Sequence, residues 1–215
     1  MNTGITTILK RLTAALLVPA LIFTMCACSK NDGSSVSADI SSSAEEYTTD
    51  DENSSSIFSF LHKNGSDKND DKESTMHVGA EGYGFLDVPD TWKEFTDPDV
   101  SSVSGLDVKQ YSDAEGKMII TLNYASDPQV DAKSAASSCW TQMEQEGAEN
   151  IQGSTVKLDG CTAYQVYGYY TSDDVMLVIW VFTDSDGLLH YISAEGPIDN
   201  VMDSVSIVED TYSVK

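Results

Sequence analysis

Val175-Met-Leu-Val-Ile-Trp-Val-Phe182 is an unbroken apolar run, and its length decides how the chain must fold. Side chains alternate faces along a strand, so a strand with one wet face alternates apolar and polar residues. Here both sets are apolar: Val175, Leu177, Ile179 and Val181 on one face, Met176, Val178, Trp180 and Phe182 on the other. A bilayer-spanning helix needs about 20 apolar residues, and this run is far shorter. It is therefore expected to be a central strand covered on both sides. Helices on opposite faces of a mainly antiparallel sheet supply that cover, which makes the fold class α+β.

Outward from this strand, turn signals mark its neighbours. Asp-Ala-Glu-Gly (113–116), Asp-Gly (159–160), Ser-Asp-Asp (172–174) and Asp-Ser-Asp-Gly (184–187) punctuate alternating stretches. Strands are expected over 77–80, 83–88, 105–112, 117–125, 150–158, 161–170, 174–183 and 188–194. The last four have short connections and read as consecutive antiparallel hairpins. A helix is expected over Gln129–Glu146, with Pro128 near its start and Gly147 as its stop. Ala132, Ala136, Cys139 and Met143 form its inner stripe, flanked by Trp140. A second, short helix is expected over Pro197–Val205, with Ile198, Val201, Met202 and Val205 on one side.

The segment Tyr83-Gly-Phe-Leu-Asp-Val-Pro-Asp-Thr-Trp-Lys-Glu-Phe95 resembles the opening of PsbP/Mog1-like domains, where an aromatic strand runs into Val-Pro, a short turn and Trp. Val88, Pro89 and Trp92 stand at those places, and the Leu158-Asp159-Gly160 turn and the close after Gly196-Pro197 agree. The resemblance covers residues 77–215. It implies an α/β/α sandwich and a binding or assembly role without shared catalytic machinery. Pro89 is expected to end a strand and Trp92 to pack in the core.

The N-terminus has another grammar. Lys10 and Arg11 precede an apolar stretch of roughly 14 residues that stops at Cys28 and turns polar. Met25-Cys26-Ala27-Cys28 resembles the lipobox of bacterial lipoproteins, although Met25 stands where Leu is usual. The resemblance implies cleavage after Ala27 and acylation of Cys28, with two acyl chains holding the protein to the membrane. Residues 1–27 are then a lipoprotein signal peptide. Residues 28–76, rich in Ser, Asp and Asn, are the lipidated cysteine and a disordered tether. As a flexible coil this would span roughly 35–40 Å. One apolar island, Ile57 to Leu61, interrupts it. The expected location is the extracytoplasmic face of a cell membrane.

Charge narrows the partners. The chain carries a formal charge of −23, of which −18 falls on residues 77–215 (six Lys against 24 Asp and Glu). Its sole Arg, Arg11, lies in the signal segment. Phosphate and nucleic-acid recognition lean on clustered Arg and Lys, so no nucleic-acid partner is expected. An envelope protein is the expected partner besides the lipid bilayer itself.

Catalytic residue types are sparse. Of His62, His77 and His190, only His190 lies inside a strand as a plausible base, with no nucleophile motif near it. Asp184-Ser-Asp186-Gly187, Asp97 with Asp99, and Asp173 with Asp174 are fragments of calcium loops lacking the remaining ligands, so no metal is expected. No cofactor and no enzymatic activity are expected, and a hydrolase ranks last. Tyr167 and Tyr169 share one strand face and offer a platform for a small ligand or glycan, the alternative to a protein partner. Cys139 and Cys161 survive processing into a compartment where disulfides form; a bridge between them and two free thiols are both open readings.

Overall fold

The computed structural model describes residues 74–97, 107–126 and 128–215. Cys28, the signal segment and the Ile57–Leu61 island lie outside the described residues. The chain enters through a hairpin, β1 (Thr75–Ala80) and β2 (Gly84–Pro89), which forms a two-stranded sheet of its own. Thr75 and Met76, read as tether, already belong to β1. Pro89 ends β2, and the Trp92 amide donates to its carbonyl at 2.9 Å, turning Trp92 into the core.

Seven strands build the main sheet: β3 (Lys93–Phe95), β4 (Lys109–Ser112), β5 (Ile119–Ala125), β6 (Glu149–Leu158), β7 (Cys161–Tyr170), β8 (Val175–Thr183) and β9 (Leu189–Gly196). Their spatial order is β3-β4-β5-β9-β8-β7-β6, with every neighbour antiparallel. The last four are indeed joined as successive hairpins. Asp159 and Gly160, both at positive φ (46° and 77°), make the tightest of these turns in the geometry that Asp-Gly favours. β3 has no counterpart in the sequence reading, because three residues are too few to show alternation.

Among the described residues two helices complete the fold, which is α+β. α1 (Ala132–Gln145) starts three residues later than its pattern suggests, because Asp131 caps it: its carboxylate accepts from the Ser134 amide at 2.8 Å. Pro128 therefore lies before the cap rather than in the first turn. Gly147, at φ 83°, ends α1 as expected. α2 (Val201–Thr211) is displaced from its expected position. Pro197–Asn200 is a separate turn, closed by the Asn200 amide on the Pro197 carbonyl at 2.9 Å. The helix then runs on to Thr211, burying Val201, Val205 and Val208 at i, i+4 and i+7. Ile198, read as part of its apolar side, is 42% exposed outside it.

β8 sits between β7 and β9 and is covered on both faces, as its composition demands. Leu177, Ile179 and Val181 pack under α1 with Ala136, Cys139 and Met143. Met176, Val178, Trp180 and Phe182 pack on the other side under α2 and the β1–β2 hairpin. Burial of each of these large side chains stabilises the fold by about 1.5–3 kcal/mol. The middle place of the sheet belongs to β9, whose polar His190, Ser193 and Glu195 are all buried. The hairpin closes against the C-terminus: Gly84 has φ 87°, and a Cβ there would stand 2.2 Å from the Tyr212 hydroxyl. Phe85 and Ser213 exchange backbone hydrogen bonds of 2.8 and 3.0 Å.

Ile179→Ala should cost about 2–5 kcal/mol in chemical denaturation, as expected for a buried aliphatic deletion. Ile198→Ala should stay within about 0.5 kcal/mol. Equal costs would contradict the burial of Ile179 and the exposure of Ile198.

Candidate functional site

His190 is the centre of the most connected polar arrangement in the described residues. β9 directs it to the face that carries α2, and it is 1% exposed. Its ring stacks on Phe182, with centroids 4.9 Å apart and planes 8° from parallel. Its Nε2 lies 3.1 Å from Asp184 Oδ2 and its Nδ1 3.1 Å from the Tyr212 hydroxyl. That hydroxyl also lies 3.1 Å from the Tyr83 carbonyl. Asp184 fixes the tautomer: Nε2–H donates to the carboxylate, and Nδ1 faces the phenol.

The sequence pairs in β8 and β9 place these groups. Phe182 and His190 are register partners across the β8–β9 hairpin, and Asp184 opens its turn. Asp184 Oδ1 accepts from the amides of Asp186 and Leu188, each at 2.9 Å. Its carboxylate is thus committed to the turn and to the imidazole, which explains the calcium-like Asp184-Ser-Asp186-Gly187 pattern without a metal. Among the described residues no three His, Cys, Asp or Glu side chains converge on a metal position.

Electrostatics follow from this packing. Burial pushes the His190 imidazole below its ordinary value, and the Asp184 bond only partly offsets it. Burial pushes Asp184 up, but the His190 bond and the Leu188 and Asp186 amides outweigh it, leaving the carboxyl below the usual range. Burial and then Asp184 push the Tyr212 phenol up. A histidine beside a carboxylate and a hydroxyl is the constellation expected of a hydrolase, yet the Asp184 side chain is 4% exposed and Tyr212 is equally buried. The chain fastens the β8–β9 turn, the C-terminal segment and the hairpin entry to one another. Val214 adds to this seam, its amide donating to Asp159 Oδ2 at 2.9 Å.

Tyr167 and Tyr169 of β7 share one face, and Tyr164 and Tyr170 lie on the other. Tyr167 and Tyr169 lie partly buried at the rim of their face, packed against the α2-side core. Their hydroxyls are already engaged: Tyr167 donates to Gln152 Oε1 at 2.9 Å and Tyr169 to Asp174 Oδ1 at 2.6 Å. Asp199 and Glu149 also act on the Tyr169 phenol, so its surroundings are strongly acidic.

The structure decides between the two open readings of the cysteines. Cys139 and Cys161 are free thiols. Cys139 projects from α1 into one core, and Cys161 at the start of β7 packs against the other, so the sheet separates them. Burial pushes the Cys139 thiol up to about 12, which removes its nucleophilicity. Cys161 is raised as well, by burial and then by Asp159 and Asp184.

Sequence reasoning missed a further polar row: Gln110, Thr121, Ser193 and Glu195, all buried in central strands. Polar residues within strands read as a solvated face, and only the sheet order shows that β4, β5 and β9 carry them inward.

No known protein-family model and no curated protein matches the chain. Solved structures that are similar to part of it include the following two. One is LpqN of Mycobacterium tuberculosis, described as involved in cell envelope biogenesis. It is 16% identical, with a TM-score of 0.41 over 67% of this chain and 86% of that one. The other is a protein of Bacteroides thetaiotaomicron VPI-5482, 14% identical, with a TM-score of 0.42 over 65% of this chain and 48% of that one. These are distant likenesses. No helix among the described residues is long and apolar enough to cross a membrane.

Asp184→Ala should destabilise the protein by roughly 2–4 kcal/mol, because the buried imidazole N–H loses its acceptor and the turn loses two amide contacts. A change close to zero in urea denaturation would contradict the fastening role. A second outcome concerns pH. The folded state holds His190 below its unfolded value, so its contribution is present above about pH 6.5 and is lost as pH falls. The stability deficit of His190→Gln relative to the native sequence should therefore shrink from pH 7 to pH 5. A deficit constant with pH would show that the imidazole does not titrate between folded and unfolded states.

Proposed function

We propose that this protein is a lipoprotein held by acylated Cys28 on the extracytoplasmic face of a cell membrane, presenting a PsbP/Mog1-like domain that binds or helps assemble an envelope protein. On this reading residues 1–27 are removed and the following segment is a tether. The domain is not an enzyme, takes no cofactor and meets no nucleic acid.

The observation that carries the non-catalytic reading is the use made of His190. The imidazole, with its carboxylate and phenol, is closed off and spent on holding three chain segments together, so its chemistry is structural. The acidic character of the fold supports the partner class. Lys109 and Lys117 are each paired with a carboxylate, at Glu94 and Glu115 respectively, which leaves a surface dominated by negative charge. Such a surface repels anionic polymers and favours protein partners with basic segments. The lipobox-like Met25–Cys28 segment supports the anchor, since two acyl chains give stable attachment where one does not.

Cys28→Ala tests the anchor. In cells expressing the full chain, the variant should move from the membrane fraction to the soluble fraction or medium. Retention in the membrane at the level of the native sequence would overturn the assignment of Cys28.

A further inference from the structure

The buried polar row on the α1 face has a chemistry of its own. α1 lies over β6, β7 and β8. The same face of the sheet continues past its flank onto β9, β5 and β4. There Gln110, Thr121 and Ser193 are register partners across three adjacent strands. Glu195 lies two residues beyond Ser193 and projects to the same side.

Only Gln110 and Thr121 of this row meet each other. Gln110 Nε2 donates to Thr121 Oγ1 at 3.4 Å, and Gln110 Oε1 accepts from the Asp97 amide at 3.1 Å. Ser193 Oγ, in a residue 1% exposed, and Glu195 Oε1, in a residue 3% exposed, meet no hydrogen-bond partner among the described residues. Buried carboxyl and hydroxyl oxygens are almost always satisfied, so two orphans on one strand face call for a physical cause. The buried Asp97 carboxylate stands close enough to act on Glu195, adding to burial in raising its pKa to about 8.

The donor set is oxygen: two carboxylates and the hydroxyls of Ser193 and Thr121. Oxygen donors of this kind suit hard divalent cations. Burial, and then the nearby Asp97, favour the protonated form of Glu195. A divalent cation would meet the orphan oxygens of Ser193 and Glu195 at once and favour the ionised form of Glu195.

We propose that Asp97, Ser193 and Glu195, with Thr121 beside them, form a binding site for a divalent cation of the calcium class. Bound there, the ion ties the segment after β3 to the middle strand of the sheet. This assignment is separate from the calcium-like turn at Asp184–Gly187, whose carboxylate is already committed.

The test uses the full chain purified in detergent and freed of metal with a chelator, titrated with calcium chloride by calorimetry and followed by thermal unfolding. The native sequence should show one saturable event with Kd of about 0.1–1 mM or tighter, together with a higher unfolding temperature. Glu195→Gln should weaken that event roughly tenfold or more while still unfolding cooperatively. Asp97→Asn serves as an independent second variant with the same expected loss. Glu115→Gln, on an exposed turn, controls for diffuse binding to an acidic surface and should leave the event unchanged. Absence of a saturable event in the native sequence would overturn the proposal. So would equal binding by Glu195→Gln and Asp97→Asn, or a loss of the same size in Glu115→Gln.

Discussion

A strand that is apolar on both faces cannot be left at a surface, and the rest of this protein is arranged around that constraint. β8 needs two apolar neighbours in the sheet and a layer above and below it. β7 and β9 supply the first, α1 supplies one layer, and α2 with the β1–β2 hairpin supplies the other. The two covers differ in construction. α1 is a single helix whose small inner residues, Ala132, Ala135 and Ala136, let it approach the sheet closely. The opposite cover is composite and joins elements from the two ends of the described chain, so it needs fastening.

That fastening is where the polar chemistry of the domain is spent. Asp184 holds His190, the single Tyr212 hydroxyl proton is shared between His190 Nδ1 and the Tyr83 carbonyl, and Gly84 leaves just enough room for the Tyr212 ring. Trp180 and Gln165 both donate to Glu209 Oε1, at 3.3 and 2.8 Å, which pins α2 to the same face of the sheet. These bonds each contribute modestly when made, but leaving any of them unmade in the interior is costly. Polar groups here set the docking of the composite cover; the apolar contacts supply most of its free energy.

The two faces of β9 divide the polar residues of the middle strand between two tasks. His190, on the α2 side, is fully engaged and locks the fold. Ser193 and Glu195, on the α1 side, retain unused oxygens in the interior.

The sequence alone determined the class of the fold and much of its punctuation. The double apolar face of Val175–Phe182 dictated an α+β arrangement with cover on both sides, and the Asp- and Gly-bearing turns and the Ala132–Met143 stripe marked most elements, because these signals are local. Residue pattern likewise marked Trp92 as core and Gly147 as a helix stop. Only the tertiary structure decided which strand takes the middle of the sheet, since β9 hides among polar residues that become buried through long-range pairing with β5 and β8. It decided that Cys139 and Cys161 face opposite cores, which spacing along the chain cannot show. It also turned three unremarkable residues, Asp184, His190 and Tyr212, into one hydrogen-bonded chain, and gathered Asp97, Ser193 and Glu195 from separate segments. Such sites arise from sheet order and register, which bring together residues far apart in sequence and leave no periodic trace in it.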